Sequence, residues 1–159
     1  MSLPAVEFRT PTAEDIDRLA AEMRDQDVAE MHALGYTDLR SVVQSSVDVS
    51  DWCLAVLVKG ELAAIFGIGQ IGTPDDPIGT PWMLGTPVVA RSRRILATLA
   101  PQYIRGMLRQ FPRLTNIVHA RNTVAAAWLA RCGFVLQPPQ PVGPHGELFH
   151  VFEMRASHV

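Results

Sequence analysis

The stretch Asn122-Thr-Val-Ala-Ala-Ala-Trp-Leu-Ala-Arg-Cys-Gly-Phe134 decides how the rest of this chain is read. Asn is among the best N-caps, because its side-chain oxygen accepts a free N–H of the first helical turn. Gly133 supplies a left-handed residue that ends a helix without a Cβ penalty. The segment predicts a short helix opened by Asn122 and closed by Gly133, with a strand starting at Phe134. Val124, Trp128 and Leu129 are expected to form its apolar face. Helix-end chemistry alone accounts for every residue here; a ligand contact at Asn122 is the competing reading.

Working outward, periodicity places elements on both sides. Val6–Arg9 alternates as a strand, and Thr10-Pro-Thr-Ala-Glu-Asp-Ile opens a helix over about Ala13–Met23 with acids in its first turn. Asp27–Gly35 and Leu39–Ser46 give two more helices. Trp52–Val58 and Glu61–Gly69 form a hairpin through Lys59-Gly60. The Pro/Gly-rich segment Gly72–Thr80 is expected to be a loop leading to a strand at Pro81–Leu84. A long helix follows from about Ser92 to Phe111, with Arg105 and Arg109 opposite its apolar stripe. Pro101 should kink or restart it, since the ring clashes with the preceding turn. Leu114–Val118 is a buried strand, Phe134–Leu136 another, Pro138–Gly146 a loop with four prolines, and Leu148–Met154 the last strand.

The chain has 159 residues, 48% hydrophobic and 19% charged. That suits one compact domain with a single core. No apolar run approaches the ~20 residues of a membrane span. The start Met1-Ser-Leu-Pro-Ala-Val shows no basic region followed by an apolar one, so secretion is not expected. Cys53 and Cys132 belong to no metal spacing and read as buried reduced thiols of a cytoplasmic protein. Net charge is −2, but it is divided. Residues 1–51 carry eleven acids against four arginines, a balance of −7; residues 77–146 carry eight arginines and no acid, a balance of +8. An all-arginine block suits bidentate anion contacts. Acidic and basic faces that complement each other within the fold or between subunits explain it equally.

The spacing Asn122, Ala at +3, Gly at +11 and Phe at +12 resembles motif B of the GNAT superfamily of acyl-CoA N-acyltransferases. The order of elements agrees with that family over the whole chain. The resemblance implies a mixed α/β domain over residues 1–159, with six or seven strands. It also implies parallel, splayed strands at Pro81–Leu84 and Leu114–Val118, and Asn122 against the pantetheine arm of acetyl-CoA. The family's general-acid Tyr would fall at Leu129. Its phosphate-binding glycines would fall at Arg91, Arg93 and Ile95 of Leu84-Gly-Thr-Pro-Val-Val-Ala-Arg-Ser-Arg-Arg-Ile95, and no glycine lies between Gly85 and Gly106. Arg91, Arg93 and Arg94 would then hold phosphates with side chains, while amides around Leu84 and Thr86 polarise a thioester. Cations near a helix N-terminus oppose its dipole by ~0.3–1 kcal/mol each. They point to a bound anion or an acidic partner, with three solvated arginines on a helix already decided by packing as the alternative.

Within the family, Pro81-Trp-Met-Leu-Gly-Thr86, Leu114-Thr-Asn-Ile-Val118, Gly146-Glu-Leu-Phe-His-Val-Phe-Glu-Met154 and the Asp27–Gly35 helix look like a bacteriophage branch of acetyltransferase-like or internal virion proteins. That implies a host-cell cytoplasmic or virion location. Catalytic residues stay unknown: His119 is the one base candidate in the second half, with a structural role as its alternative. No histidine spacing, His158 included, suits zinc. Three functions stay open. One is a catalytically degenerate GNAT domain working through protein partners or self-association in a virion. Another is an acetyl-CoA-dependent N-acyltransferase with arginine-held phosphates. The third is a polyanion-binding module, disfavoured for nucleic acid by the missing aromatics and a pI near 6.2.

Overall fold

A computed structural model describes residues 5–156; the start before Ala5, on which the secretion expectation rests, and His158 lie outside the described residues. The elements run β1 (Val6–Arg9), α1 (Ala13–Glu22), α2 (Asp25–Ala33), α3 (Leu39–Val49), β2 (Trp52–Val58), β3 (Glu61–Thr73) and β4 (Asp76–Gly85). They continue α4 (Val88–Arg91), α5 (Arg93–Gln110), β5 (Arg113–His119), α6 (Thr123–Cys132), β6 (Val135–Leu136), β7 (Gln140–Val142) and β8 (Glu147–Arg155). The strands make one mixed sheet in the order β1-β2-β3-β4-β5-β8-β6, with β7 also on β8. The eight strands exceed the expected six or seven because β6 and β7, two and three residues long, add to the β8 edge.

The sheet has helices on both faces. On one, α1–α3 bury Ile16, Leu19, Met23, Met31 and Val43 against Ala55, Leu57, Ile65 and Leu84. On the other, α5 and α6 cover Ile68, Leu114, Val118 and Phe152 with Met107, Phe111, Ala125 and Leu129. A fully buried residue such as Leu19, Ile65 or Leu114 contributes roughly 1.5–3 kcal/mol of hydrophobic stabilisation. A register shift opposite Val56 and Leu57 leaves Ala63 unpaired in β3. The charge blocks follow these faces: residues 1–51 supply β1 and α1–α3, while the eight-arginine block supplies α4–α6.

Four expectations need correction. Gly72–Thr80 is no loop: β3 and β4 pair from Thr73↔Asp76 through to Ala64↔Gly85, with Pro74-Asp75 at the tip. Pro77 and Pro81 fit because alternate backbone groups of a strand point to opposite sides. Thr86 N–H bonds Ala63 C=O on β3, so residues of odd number turn toward β5. There β4 pairs only at Gly79↔Leu114, and an absent proline N–H costs no ladder bond. Pro101 does not restart α5; the helix runs through it, on the exposed side where local bending is tolerated, and the break falls at Ser92. The Pro138–Gly146 loop contains β7. Finally, α6 buries Ala125, Leu129 and Cys132 rather than Val124, which is 57% exposed. Small alanines let the helix sit low on the sheet, so an i, i+4, i+7 row sets its face.

Candidate functional site

Strands β4 and β5 run parallel from the single pair Gly79↔Leu114 and then diverge. Their edges face each other across a wedge that opens toward Gly85 and His119. At the narrow end, Asn116 takes the place of a backbone rung. Its side-chain oxygen accepts the N–H of Ile117 at 2.8 Å, and its amide donates to Pro81 C=O at 2.9 Å. In the middle, strand alternation turns the Met83 N–H and C=O toward the wedge.

At the wide end, α2 lies across both strands. Asp27 accepts the Gly85 N–H at 2.9 Å and Arg24 Nε at 2.6 Å, while Arg24 N–H donates to Gly85 C=O at 2.9 Å. One turn on, Glu30 Oε2 accepts the His119 N–H at 3.1 Å. Positions i and i+3 share a helix face, so two carboxylates of one helix hold the ends of two diverging strands. Burial, against the Arg24 ion pair, raises the Asp27 carboxyl. Burial also pushes Glu30 up to about 7, opposed by the His119 N–H and assisted by the charge of Asp27.

The predicted site residues distribute around this wedge. Leu84 is buried in the α1–α3 core, and its even position turns its N–H toward β3. Thr86 is 1% exposed; its N–H goes to Ala63 C=O, its hydroxyl to Leu62 C=O at 2.7 Å, and its Oγ1 accepts the Val88 N–H. Neither amide faces the wedge; those of Met83 and Gly85 do. Arg91, Arg93 and Arg94 surround the α4–α5 break, all exposed, with Arg91 paired to Glu61 at 3.3 Å. Ser92, 7% exposed, precedes α5 without capping it, so the first amides of an 18-residue helix are left without a side-chain partner. Asn122 is on the β5 side. It is buried, and its oxygen accepts the Ala125 N–H at 3.2 Å.

Beside Asn122, Gln26, Ala29, His119, Arg121 and Glu147 line a cleft of about 330 Å³. His119 is buried on Phe149 and its Nε2 meets Glu147 Oε1 at 2.9 Å, so the base candidate is already committed to a carboxylate. Among the described residues no group of His, Cys, Asp or Glu has the arrangement of a metal site. No helix there is long and apolar enough to cross a membrane.

No protein-family model matches this sequence, and no curated protein matches it. Solved structures do. The chain superposes on a ribosomal-protein alpha-N-acetyltransferase in complex with coenzyme A over 97% of its length and 95% of the other, with TM-score 0.67 and 11% identity. It superposes on yncA of Salmonella typhimurium, solved with its cofactor acetyl-CoA, over 98% and 96%, with TM-score 0.67 and 11% identity. A GNAT-family acetyltransferase from Bacillus anthracis gives 94% coverage each way, TM-score 0.68 and 11% identity.

The fold is that of the GNAT acetyltransferases. At such identities the likeness is one of fold. Within this GNAT fold, Asp27, Glu30, Met83 and Asn116 hold or face the wedge, and sequence reasoning passed over all four. Asp27 and Glu30 entered only a charge balance. The available signal was their i, i+3 spacing beside Val28 and Met31, on the side of α2 that meets the core.

Proposed function

We propose that this chain is a GNAT-fold domain with a degenerate acyl-CoA site, serving as an assembly component of the kind its resemblance to phage internal virion proteins implies. One observation carries the reading: at the wide end of the wedge α2 occupies the ends of both strands with its own carboxylates. An acyl-CoA arm entering between β4 and β5 has to compete with Asp27 for the Gly85 amide, with Glu30 for the His119 amide, and with Asn116 at Pro81. The residues do not fit the thioester end of such a ligand. Leu129, where the family's acid would fall, is half-buried on the side of α6 that packs against the core. Calorimetric titration with acetyl-CoA tests this. The expected result is no saturable heat; saturable binding accompanied by release of free CoA in the presence of amine acceptors overturns it.

A second reading, an acetyl-CoA-dependent N-acyltransferase, is favoured by the α5 entry. An uncapped helix N-terminus with Ser92 and Arg91, Arg93 and Arg94 around it is suited to phosphate. On that reading Asn122 contacts the pantetheine arm and Met83 N–H, rather than Leu84 or Thr86, is the polarising amide. Its test is the double substitution Arg91→Ala with Arg93→Ala, which should weaken acetyl-CoA binding at least tenfold. The two readings part at the same titration.

A further inference from the structure

The arginine block leaves an unpartnered helical face. Along α5, Arg105 and Arg109 stand one turn apart on the exposed side. Arg121, in the turn before α6, and Arg131, in its last turn, are exposed as well, and Val124 in the first turn of α6 is 57% exposed. Among the described residues none of these four arginines makes an ion pair within the chain, while Arg9, Arg24, Arg40 and Arg113 all do. Helices α5 and α6 pack on the same core, so these groups share one face of the sheet.

The opposite face carries the complementary sign. Glu14, Asp17, Arg18, Ala21 and Glu22 of α1 line a groove of about 300 Å³. Asp38, which caps α3, and Asp48, near its other end, are further exposed acids. Within the groove, Glu14 pairs with nothing among the described residues. Glu22 meets Arg18 only at 3.7 Å, with both side chains more than half exposed.

We propose that this chain associates head to tail with a second copy of itself, the Arg105–Arg109 row of α5 on one protomer seated along the Glu14–Glu22 groove of α1 on the next. This rests on the assembly reading above and names its partner. Residues one turn apart on a helix are about 5–6 Å apart, so two guanidiniums on α5 match in spacing Glu14 and the second oxygen of Asp17, whose first oxygen accepts Arg40 Nε at 2.7 Å in an exposed, weak pair. Guanidinium forks bond carboxylates in a bidentate way. A nucleic acid is the poorer occupant: the opposite face would repel it, and no exposed aromatic interleaves the α5 arginines. Because the two patches lie on opposite faces of one sheet, the contact is heterologous and repeats along a line, producing an open chain of copies.

Analytical ultracentrifugation of the whole chain tests the proposal at ionic strengths where the screening length falls from ~30 Å to ~3 Å. The wild type should sediment above monomer mass at low salt and as a monomer at high salt. Arg105→Glu with Arg109→Glu should be monomeric at low salt, and so should Glu14→Arg with Asp17→Arg. Mixing those two variants should restore association, because reversed faces again meet opposite sign. All four positions are exposed, and unchanged melting curves will show that the variants fold. A wild type that stays monomeric at low salt, or variants that associate as the wild type does, overturns the proposal. So does a wild type that assembles only on added duplex DNA. None of these residues borders the wedge, so failure here leaves the acetyl-CoA titration as it was, and a positive titration leaves these sedimentation results standing.

Discussion

Helices α5 and α6 follow the two strands of the wedge, and they start in opposite ways. α6 begins closed: Asn122 caps it, and Gly133 at φ 105° ends it with its N–H on Ala130 C=O. α5 begins open, after a one-turn α4, with no cap, no acid in its first turn and arginines where the dipole is positive. A helix start satisfied by its own neighbours is a structural joint. One left unsatisfied beside three cations has its chemistry turned outward. The wedge between them is held by α2, a third segment far away in sequence. The contrast can be broken at that lock, at the closed start and at the open one.

The largest effect is expected at the lock. Asp27→Ala removes a buried carboxylate and leaves Arg24 and the Gly85 N–H unpaired. Truncating one partner of a buried ion pair costs ~3–5 kcal/mol. Urea melts should register that loss, with Asp27→Asn losing less because it keeps an acceptor for Gly85. A loss below ~1 kcal/mol for the alanine variant would show that α2 does not hold β4.

The second effect is a pH dependence from Glu30. Its carboxyl titrates at about 7 in the folded chain against an ordinary 4.5, so the folded state binds the proton more tightly. The stability linked to that proton is fully present below the unfolded value and is lost as pH rises through the folded one. On the order of 3 kcal/mol should disappear between roughly pH 4 and pH 8. Glu30→Gln keeps an acceptor for His119 N–H and should flatten that slope. Identical pH profiles for wild type and variant would show that Glu30 is hydrated and ordinary.

At the closed start, Asn122→Ala should cost ~0.5–2 kcal/mol through the lost cap. At the other end of the same helix, Gly133→Ala should cost about 1 kcal/mol, mostly from backbone strain. The flexible Met154 Cε is the nearest atom to an added Cβ, at 3.3 Å, and it can yield. Denaturant melts check both. Equal stability for Asn122→Ala would detach this motif from the helix it opens.

What was legible in the sequence follows the same division. The α6 motif and the Lys59-Gly60 turn with φ 52° and 80° are local signals that reappear in the structure, as does the parallel pair β4–β5, which the family resemblance implied. The wedge was not legible, because its bonds join residues 58 apart for Gly85 and Asp27 and 89 apart for His119 and Glu30. No spacing rule reports a carboxylate that leaves its own helix to cap another segment's strand. Which of the amides around Leu84 and Thr86 turn toward the wedge was not legible for a related reason. Which amides face the wedge depends on the parity of the β3–β4 register, and that register is set along a hairpin that composition presents as a loop.

The smallest expected effect sharpens the comparison at the open start. Arg93 and Arg94 are exposed in the first turn of α5, where a cation opposes the dipole and an anion favours it. Arg93→Glu with Arg94→Glu should therefore stabilise the fold, by ~0.3–1 kcal/mol for each position at low salt. The gain should fade as salt rises, since surface charges are screened within ~8 Å at physiological ionic strength. Thermal melts at two salt concentrations read both features. A gain would mean that these arginines are retained against the stability of their own helix, which is the mark of a surface kept for something outside the chain. A loss at low salt would mean that the arginines serve the fold through contacts of their own, and the α5 entry would then be as closed as that of α6.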